Sequence, residues 1–256
     1  MIISHQYKFI FIKTSKVAGT SLELFLNNYC ASNDILTPFW HPETGHTPRN
    51  YRGFFNPFRE LTYRRKFARI ASRTGTSRTI GDFICRRKFF EPIPAWQVKS
   101  RVEPRIWDTY YKFAVERNPW DKILSRYYQS KQIYEEKYGG ILSLDGFLEY
   151  FEKQLLMPWT TPAWGSPAPY NYPRYVDPLT DQVIVDRIIR YENLNDELSE
   201  IFPMLDIPFS GSLDLHAKSS YRTERKPYRE VLNNRQRSLI EKIFTKEINL
   251  LGYLWE

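Results

Sequence analysis

Apolar and polar positions along this chain fall into blocks that read alternately as strand and helix. The start, residues 1–11, carries His5 and Lys8 among short apolar pieces and runs on into Phe9–Ile12, which predicts the first strand. Leu22, Phe25, Leu26 and Tyr29 then recur at i, i+3, i+4 and i+7, the spacing of a helix with one apolar face, with Thr20 or Ser21 as its cap. The cycle repeats further along. Residues 111–116 are strand-like, and Trp120, Ile123, Leu124, Tyr127 and Tyr128 share one side of a helix that opens with Pro119, a residue suited to a first helical position. Residues 157–178 hold six prolines, too many for a helix or a central strand, and predict a loop. Helical periodicity returns over 230–251 through Leu239, Ile240, Ile243, Phe244 and Ile248, and Gly252 ends it; this helix is expected to pack on the sheet. Strands that feed helices in this way predict an α/β fold: a P-loop-like, doubly wound, mostly parallel central sheet flanked by helices, in one domain over residues 1–256.

Composition narrows the class. A chain of 256 residues with 42% hydrophobic content can bury one sizeable core. No run reaches the roughly 18 apolar residues of a membrane span, so a soluble, unprocessed chain is expected. Cys30 and Cys85 have no Cys-x-x-Cys spacing, which speaks against a disulfide scaffold or a zinc site and suits a reducing cytoplasm. The net charge is +8, and an excess of the same size sits within residues 59–88, where ten Lys/Arg, among them Arg59, Arg64, Arg65, Lys66, Arg69, Arg78 and Arg86, face only Glu60 and Asp82. This insertion-like segment reads either as a docking surface for an acidic acceptor or as a solvated loop, made mobile by Thr74-Gly75-Thr76-Ser77. No nucleic-acid recognition motif accompanies it, and no nucleic-acid partner is expected.

The candidate chemistry begins where the first strand ends. Lys16-Val17-Ala18-Gly19-Thr20-Ser21 lies between an apolar run and a helical pattern, where Gly19 allows close backbone approach and the free amides of the next helix face an anion. Lys13 and Lys16 add positive charge at its mouth. A nucleotide kinase or NTPase remains an alternative, but its loop places lysine after the second glycine, and no Gly-Lys-Ser/Thr string occurs here. The second helix offers a second anion site. Arg117 stands at its mouth and Ser125 about two turns along, a planar fork and a hydroxyl that suit a phosphate.

Together these segments resemble the sulfotransferases that use 3′-phosphoadenosine-5′-phosphosulfate (PAPS), in particular the carbohydrate-type family that includes heparan 2-O-sulfotransferases. Lys16–Ser21 matches the family's Pro-Lys-Thr-Ala-Gly-Thr-Ser loop, and Arg117-Asn118-Pro119-Trp120-Asp121 with Ser125 matches its second cofactor motif. Arg190-Tyr191-Glu192-Asn193-Leu194 and Ala217-Lys218-Ser219-Ser220-Tyr221-Arg222 match two later ones. The resemblance implies sulfuryl transfer from PAPS to a hydroxyl or amine, most readily of a carbohydrate, leaving 3′,5′-adenosine bisphosphate and needing no metal. It places the 5′-phosphosulfate on Lys13, Lys16, Val17, Ala18, Gly19, Thr20 and Ser21, the 3′-phosphate on Arg117 and Ser125, the adenine beside Tyr191, and a covering loop at Lys218, Ser219 and Arg222. Lys16 would be the donor to the bridging oxygen. Relatives of the Golgi carry an N-terminal anchor, absent here, so a cytoplasmic location is expected, and the basic segment suits an acceptor that is an acidic glycan or a small hydroxylated molecule.

The chain departs from the family at the general base. Many relatives have a His-x-[Thr/Pro]-Ala string before the Arg-Asn-Pro motif, whereas this chain reads Glu91-Pro92-Ile93-Pro94-Ala95, with Pro92 in the histidine's place. Glu91 and His46 are the two candidates for the base. A third reading is a binding protein that keeps the cofactor fold but has lost its base. The aromatic rings of 157–178, Trp159, Trp164, Tyr170, Tyr172 and Tyr175, suit either stacking on sugar rings or a lid over the core.

Overall fold

The first apolar stretch folds as two strands, β1 (Ile2–Ser4) and β2 (Phe9–Ile12), and not as one. The turn between them is polar and places Lys8 at φ 52°, so the chain reverses and pairs antiparallel, Ile3 opposite Ile10. In this computed structural model, which describes residues 1–39, 43–66, 73–156, 169–213 and 226–255, three more strands complete the sheet. They are β3 (Ile35–Leu36), β4 (Tyr111–Glu116) and β5 (Arg187–Arg190), in the order β3-β1-β2-β4-β5. β2, β4 and β5 pair in parallel, with Phe11 opposite Phe113 and Val115 opposite Ile189, while β1 runs antiparallel to both of its neighbours. β2 is buried along its whole length, which is why it reads as a continuous apolar run with no alternation.

The chain divides into two compact units, interleaved in sequence. The first comprises Met1–Thr14, Gly19–Glu116 and Pro173–Leu215 and contains the whole sheet. Its first helix, Gly19–Asn27, buries Leu22 and Leu26, and Phe25 stacks on Phe202 of the helix Leu194–Met204 with ring centroids 5.6 Å apart. This helix begins one residue earlier than the expected cap, so Thr20 and Ser21 lie inside its first turn.

The basic segment also belongs to this unit, and it is a pair of helices where a mobile loop was one expectation. Pro57–Lys66 packs on Arg73–Ile84, and Gly75 lies within the second helix, where a β-carbon would come to 3.0 Å of the Arg64 guanidinium. Between them runs a buried polar network. Glu60 accepts from Arg64 (2.9 Å), Thr79 (2.7 Å), Gln97 (2.7 Å) and Arg101 (2.6 Å), and Arg101 also reaches Asp82 at 3.0 Å. Burial alone would raise the Glu60 pKa, but these donors, Arg101 first, hold it below the ordinary carboxylate value. Arg69 lies outside the described residues.

The second unit comprises Ser15–Ala18, Arg117–Tyr172 and His216–Glu256. Its core is helical: Trp120, Ile123 and Leu124 of the helix Pro119–Tyr138 meet Phe147 and Phe151 of Leu144–Leu156 and Ile240, Ile243 and Phe244 near the C-terminal end. The expected helix over 230–251 is three shorter ones, Tyr228–Val231, Asn234–Ile243 and Thr245–Leu251. A capping box of Asn233 and Gln236 starts the middle one, which packs on Pro119–Tyr138 and Leu144–Leu156 where the sheet had been the expected partner. In the proline-rich stretch, Tyr172–Tyr175 forms a single helical turn with both end rings buried, so these two tyrosines are core and not a stacking platform. Trp159 and Trp164 lie outside the described residues.

Candidate active site

The loop that follows β2 is built around unusual backbone. Lys16 and Ala18 have φ of 66° and 59°, with Val17 of ordinary sign between them, and the helix Gly19–Asn27 follows at once. Alternation of this kind turns successive N–H groups toward one side and forms a concave nest for an anion, here directly before a helix N-terminus. Gly19 has an ordinary φ, and its role is close approach: a β-carbon there would meet the Lys13 side chain at 3.2 Å and the Thr14 carbonyl at 3.3 Å. Thr20 is half-buried and Ser21 buried.

Left-handed backbone at two non-glycine residues persists only where the surroundings hold it. Two anchors do so. The Thr14 hydroxyl donates to the Val115 carbonyl of β4. One residue on, the side chain of Asn171 clasps Ser15, accepting from its N–H at 2.9 Å and donating to its carbonyl at 3.1 Å. Asn171 is itself held by Glu247, which accepts from the backbone N–H of Asn171 (2.6 Å) and Tyr172 (3.0 Å) and pairs through its other oxygen with Lys122 at 2.9 Å. Asn171, Glu247 and Lys122 are all fully buried.

Around Lys16 the second unit gathers further cations. Asn118 caps the helix Pro119–Tyr138, accepting from the N–H groups of Trp120 and Asp121, and so sets Arg117 just outside the first turn. The Arg117 guanidinium pairs with Asp121, its Nε at 2.9 Å, and reaches the Lys16 carbonyl at 3.4 Å. Lys16 Nζ lies 3.4 Å from the amide oxygen of Gln129, which also accepts from Arg126 at 2.8 Å. Burial brings the Arg126 pKa down to about 10. Ser125 is half-buried one turn before Gln129.

In the first unit the two candidate bases converge on one lysine. Lys13 is not an open cation at the loop mouth as expected: it is 7% exposed and lies between Glu23 (2.6 Å) and Glu91 (2.7 Å), so its charge is taken up inside the protein. Burial would raise the pKa of Glu23, but the Met1 amine and Lys13 hold it below the ordinary value. The Lys13 ammonium sits 4.0 Å from the centre of the Phe39 ring, on which the His46 ring stacks at 3.8 Å. Burial, with Lys13 adding to it, lowers His46 to about 4. Its Nε2 is enclosed without a hydrogen-bond partner, as is Oε2 of Glu91. Arg174 is also pushed down to about 10 by burial, with the charge of Glu91 opposing the shift.

Tyr191 opens a short 3-10 turn, Tyr191–Asn193, directly after β5. Lys218, Ser219 and Arg222 lie outside the described residues.

The profile of the sulfotransferase family matches residues 1–254. This chain belongs to the sulfotransferase family. An uncharacterized protein of Archaeoglobus fulgidus is 33% identical to this sulfotransferase over 117 residues, which are 45% of this chain and 84% of that protein. No solved structure matches it. The sulfotransferase is thus an enzyme of the transferase class that moves a sulfuryl group from a sulfate donor. Among the described residues of this sulfotransferase no helix is long and apolar enough to cross a membrane. Sequence reasoning passed over Asn171, Gln129 and Arg126, and also the buried pair of Lys122 and Glu247. The one available signal was Lys122 itself, a cation beside the apolar Ile123 and Leu124 that calls for an acidic partner.

Proposed function

We propose that this sulfotransferase uses PAPS as its donor and a carbohydrate hydroxyl as its acceptor. The observation that supports the donor is the winding of Lys16–Ala18 ahead of the helix Gly19–Asn27, whose free amides suit a phosphate. In this reading the amides of Ala18, Gly19 and Thr20 and the hydroxyls of Thr20 and Ser21 hold the 5′-phosphate, Arg117 and Ser125 take the 3′-phosphate, and Tyr191 lies beside the adenine. Bound there, PAPS supplies an activated sulfuryl group. Lys16 neutralises charge gathering on the leaving oxygen, the electrostatic work that preorganised donors do best. A carbohydrate acceptor is supported by the likeness of all four motifs to the carbohydrate-type enzymes.

Glu91 takes the proton of the attacking hydroxyl. Lys13 fixes one carboxylate oxygen while the other has no hydrogen-bond partner, which leaves an oriented acceptor for one proton. His46 is neutral at physiological pH but, at a pKa of about 4, is a weak base.

Calorimetry with 3′,5′-adenosine bisphosphate tests the donor. Tight binding without magnesium, lost in Lys16→Ala, is expected; magnesium-dependent ATP binding in its place overturns the reading. Turnover of labelled PAPS over a panel of polysaccharides and small alcohols tests the acceptor. Binding without any turnover would instead indicate a protein that holds the nucleotide without catalysis.

A further inference from the structure

We infer that the helical pair Pro57–Lys66 and Arg73–Ile84 docks on the surface of an anionic lipid bilayer. The inference is independent of the donor and acceptor proposed above. Part of the basic segment's charge is used internally. Arg64 is spent on Glu60, Arg87 on Asp82, and Arg59 on the carbonyls of Val102 and Lys99. Arg65, Lys66 and Arg86 are exposed and have no acidic partner among the described residues. Arg86 lies over the Phe54 ring at 4.6 Å, and that ring is itself 57% exposed.

Apolar side chains stand among these cations. Phe58 is 74% and Ile84 70% exposed, and Ile80 is also exposed. Their placement is regular. The two helices pack through Glu60, Arg64 and Thr79, and away from that seam Phe58, Thr62 and Arg65 follow at i, i+4 and i+7 on one helix. On the other, Ile80 and Ile84 stand one turn apart and are likewise exposed, and Arg86 follows just past the helix end. The pair therefore shows solvent a surface on which large apolar groups stand beside unpaired cations.

A hydrophilic polyanion would reward the cations and leave Phe58 and Ile84 in water. A second copy of the chain would bring like charges face to face across a symmetric contact. The headgroup region of an anionic bilayer satisfies both halves of this surface, since it attracts Lys and Arg and accepts aromatic and aliphatic side chains below them.

The test is co-sedimentation of the full chain with vesicles of phosphatidylcholine alone and of phosphatidylcholine mixed with phosphatidylglycerol. Binding to the mixed vesicles only, weakening as salt rises, is expected. R65Q/K66Q should bind about 25-fold more weakly, given about fivefold for each cation near the surface. F58S/I84S should lose about tenfold through its apolar area. Both variants alter exposed positions, so melting temperature and turnover on a soluble acceptor should match the parent. The inference is overturned by absence of binding to either vesicle or by equal binding to both. It is equally overturned if heparin binds at the same salt and the vesicles do not, which makes the face an acceptor dock, or if F58S/I84S abolishes self-association, which makes it a subunit contact.

Discussion

Lys122 and Lys13 are both sunk against carboxylates, one in each unit, and their surroundings differ in a way that separates scaffold from chemistry. Lys122 meets Glu247, fully buried, whose remaining capacity goes to two backbone amides, so nothing in that cluster is left to act on a ligand. Lys13 meets two carboxylates, and the side chain of the second, Glu91, is 17% exposed and has one oxygen without a hydrogen-bond partner. A sealed ion pair orders the chain around it. An ion pair with one unpaired carboxylate oxygen can orient a group for a reaction while keeping it in place.

That contrast can be broken from either side. The largest effect expected is on stability, from Glu247→Ala: Lys122 is left charged and buried, at a cost of about 3–5 kcal/mol. Thermal unfolding should record this as a fall of roughly 10 °C, and a melting point that hardly moves would mean the pair is not structural. Glu91→Gln should do the reverse. Its fold should persist by circular dichroism while turnover drops about a hundredfold or more; a drop of only a few-fold would transfer the base role to another group. Asn171→Ala sits between the two, since it frees Ser15 without exposing a charge. The expected outcome is a donor KM raised about tenfold by the loss of a buried hydrogen-bonding clasp, with kcat and melting temperature changed much less. Equal losses in all three measurements would make Asn171 a general packing residue.

The smallest effect is on pH dependence. His46 has a folded pKa of about 4, below its ordinary 6.5, because burial first and Lys13 next disfavour its charged form, against the opposing charge of Glu23. As pH falls, the unfolded chain takes up this proton before the folded one does, so the stability it carries is full above 6.5 and is lost toward 4. His46→Phe, which keeps a ring on Phe39, should flatten the decline of melting temperature across that interval. An unaltered decline would show that other groups govern it.

The two clusters and their surroundings were not equally legible in the sequence. Signals that act over a few residues could be read directly: β4 occupies residues 111–116 as predicted, and Pro119 opens its helix as expected, behind an Asn118 cap. The backbone of Lys16 and Ala18 was not foreseeable, because φ above zero at a lysine or an alanine is imposed by neighbours and not by intrinsic preference. Lys13 read as a solvent-facing cation because the partners that bury it, Glu23 and Glu91, come from a helix and from a later loop. Asn171 lies 156 residues from Ser15 within a proline-rich stretch, and Lys122 lies 125 residues from Glu247, so nothing local marks either pair. The basic segment erred in the other direction. A run of cations with Gly75 suggested mobility, whereas Glu60 and Asp82, the two acids within it, are what order it.

The clasp on Ser15 also bears on how the protein is made. A chain emerging from the ribosome exposes Lys16–Ala18 long before Glu247, which holds Asn171 in position, has been synthesised. Early-made segments can settle as they appear. The loop cannot acquire its clasp until Glu247 has emerged, so a chain interrupted before that residue lacks the set loop.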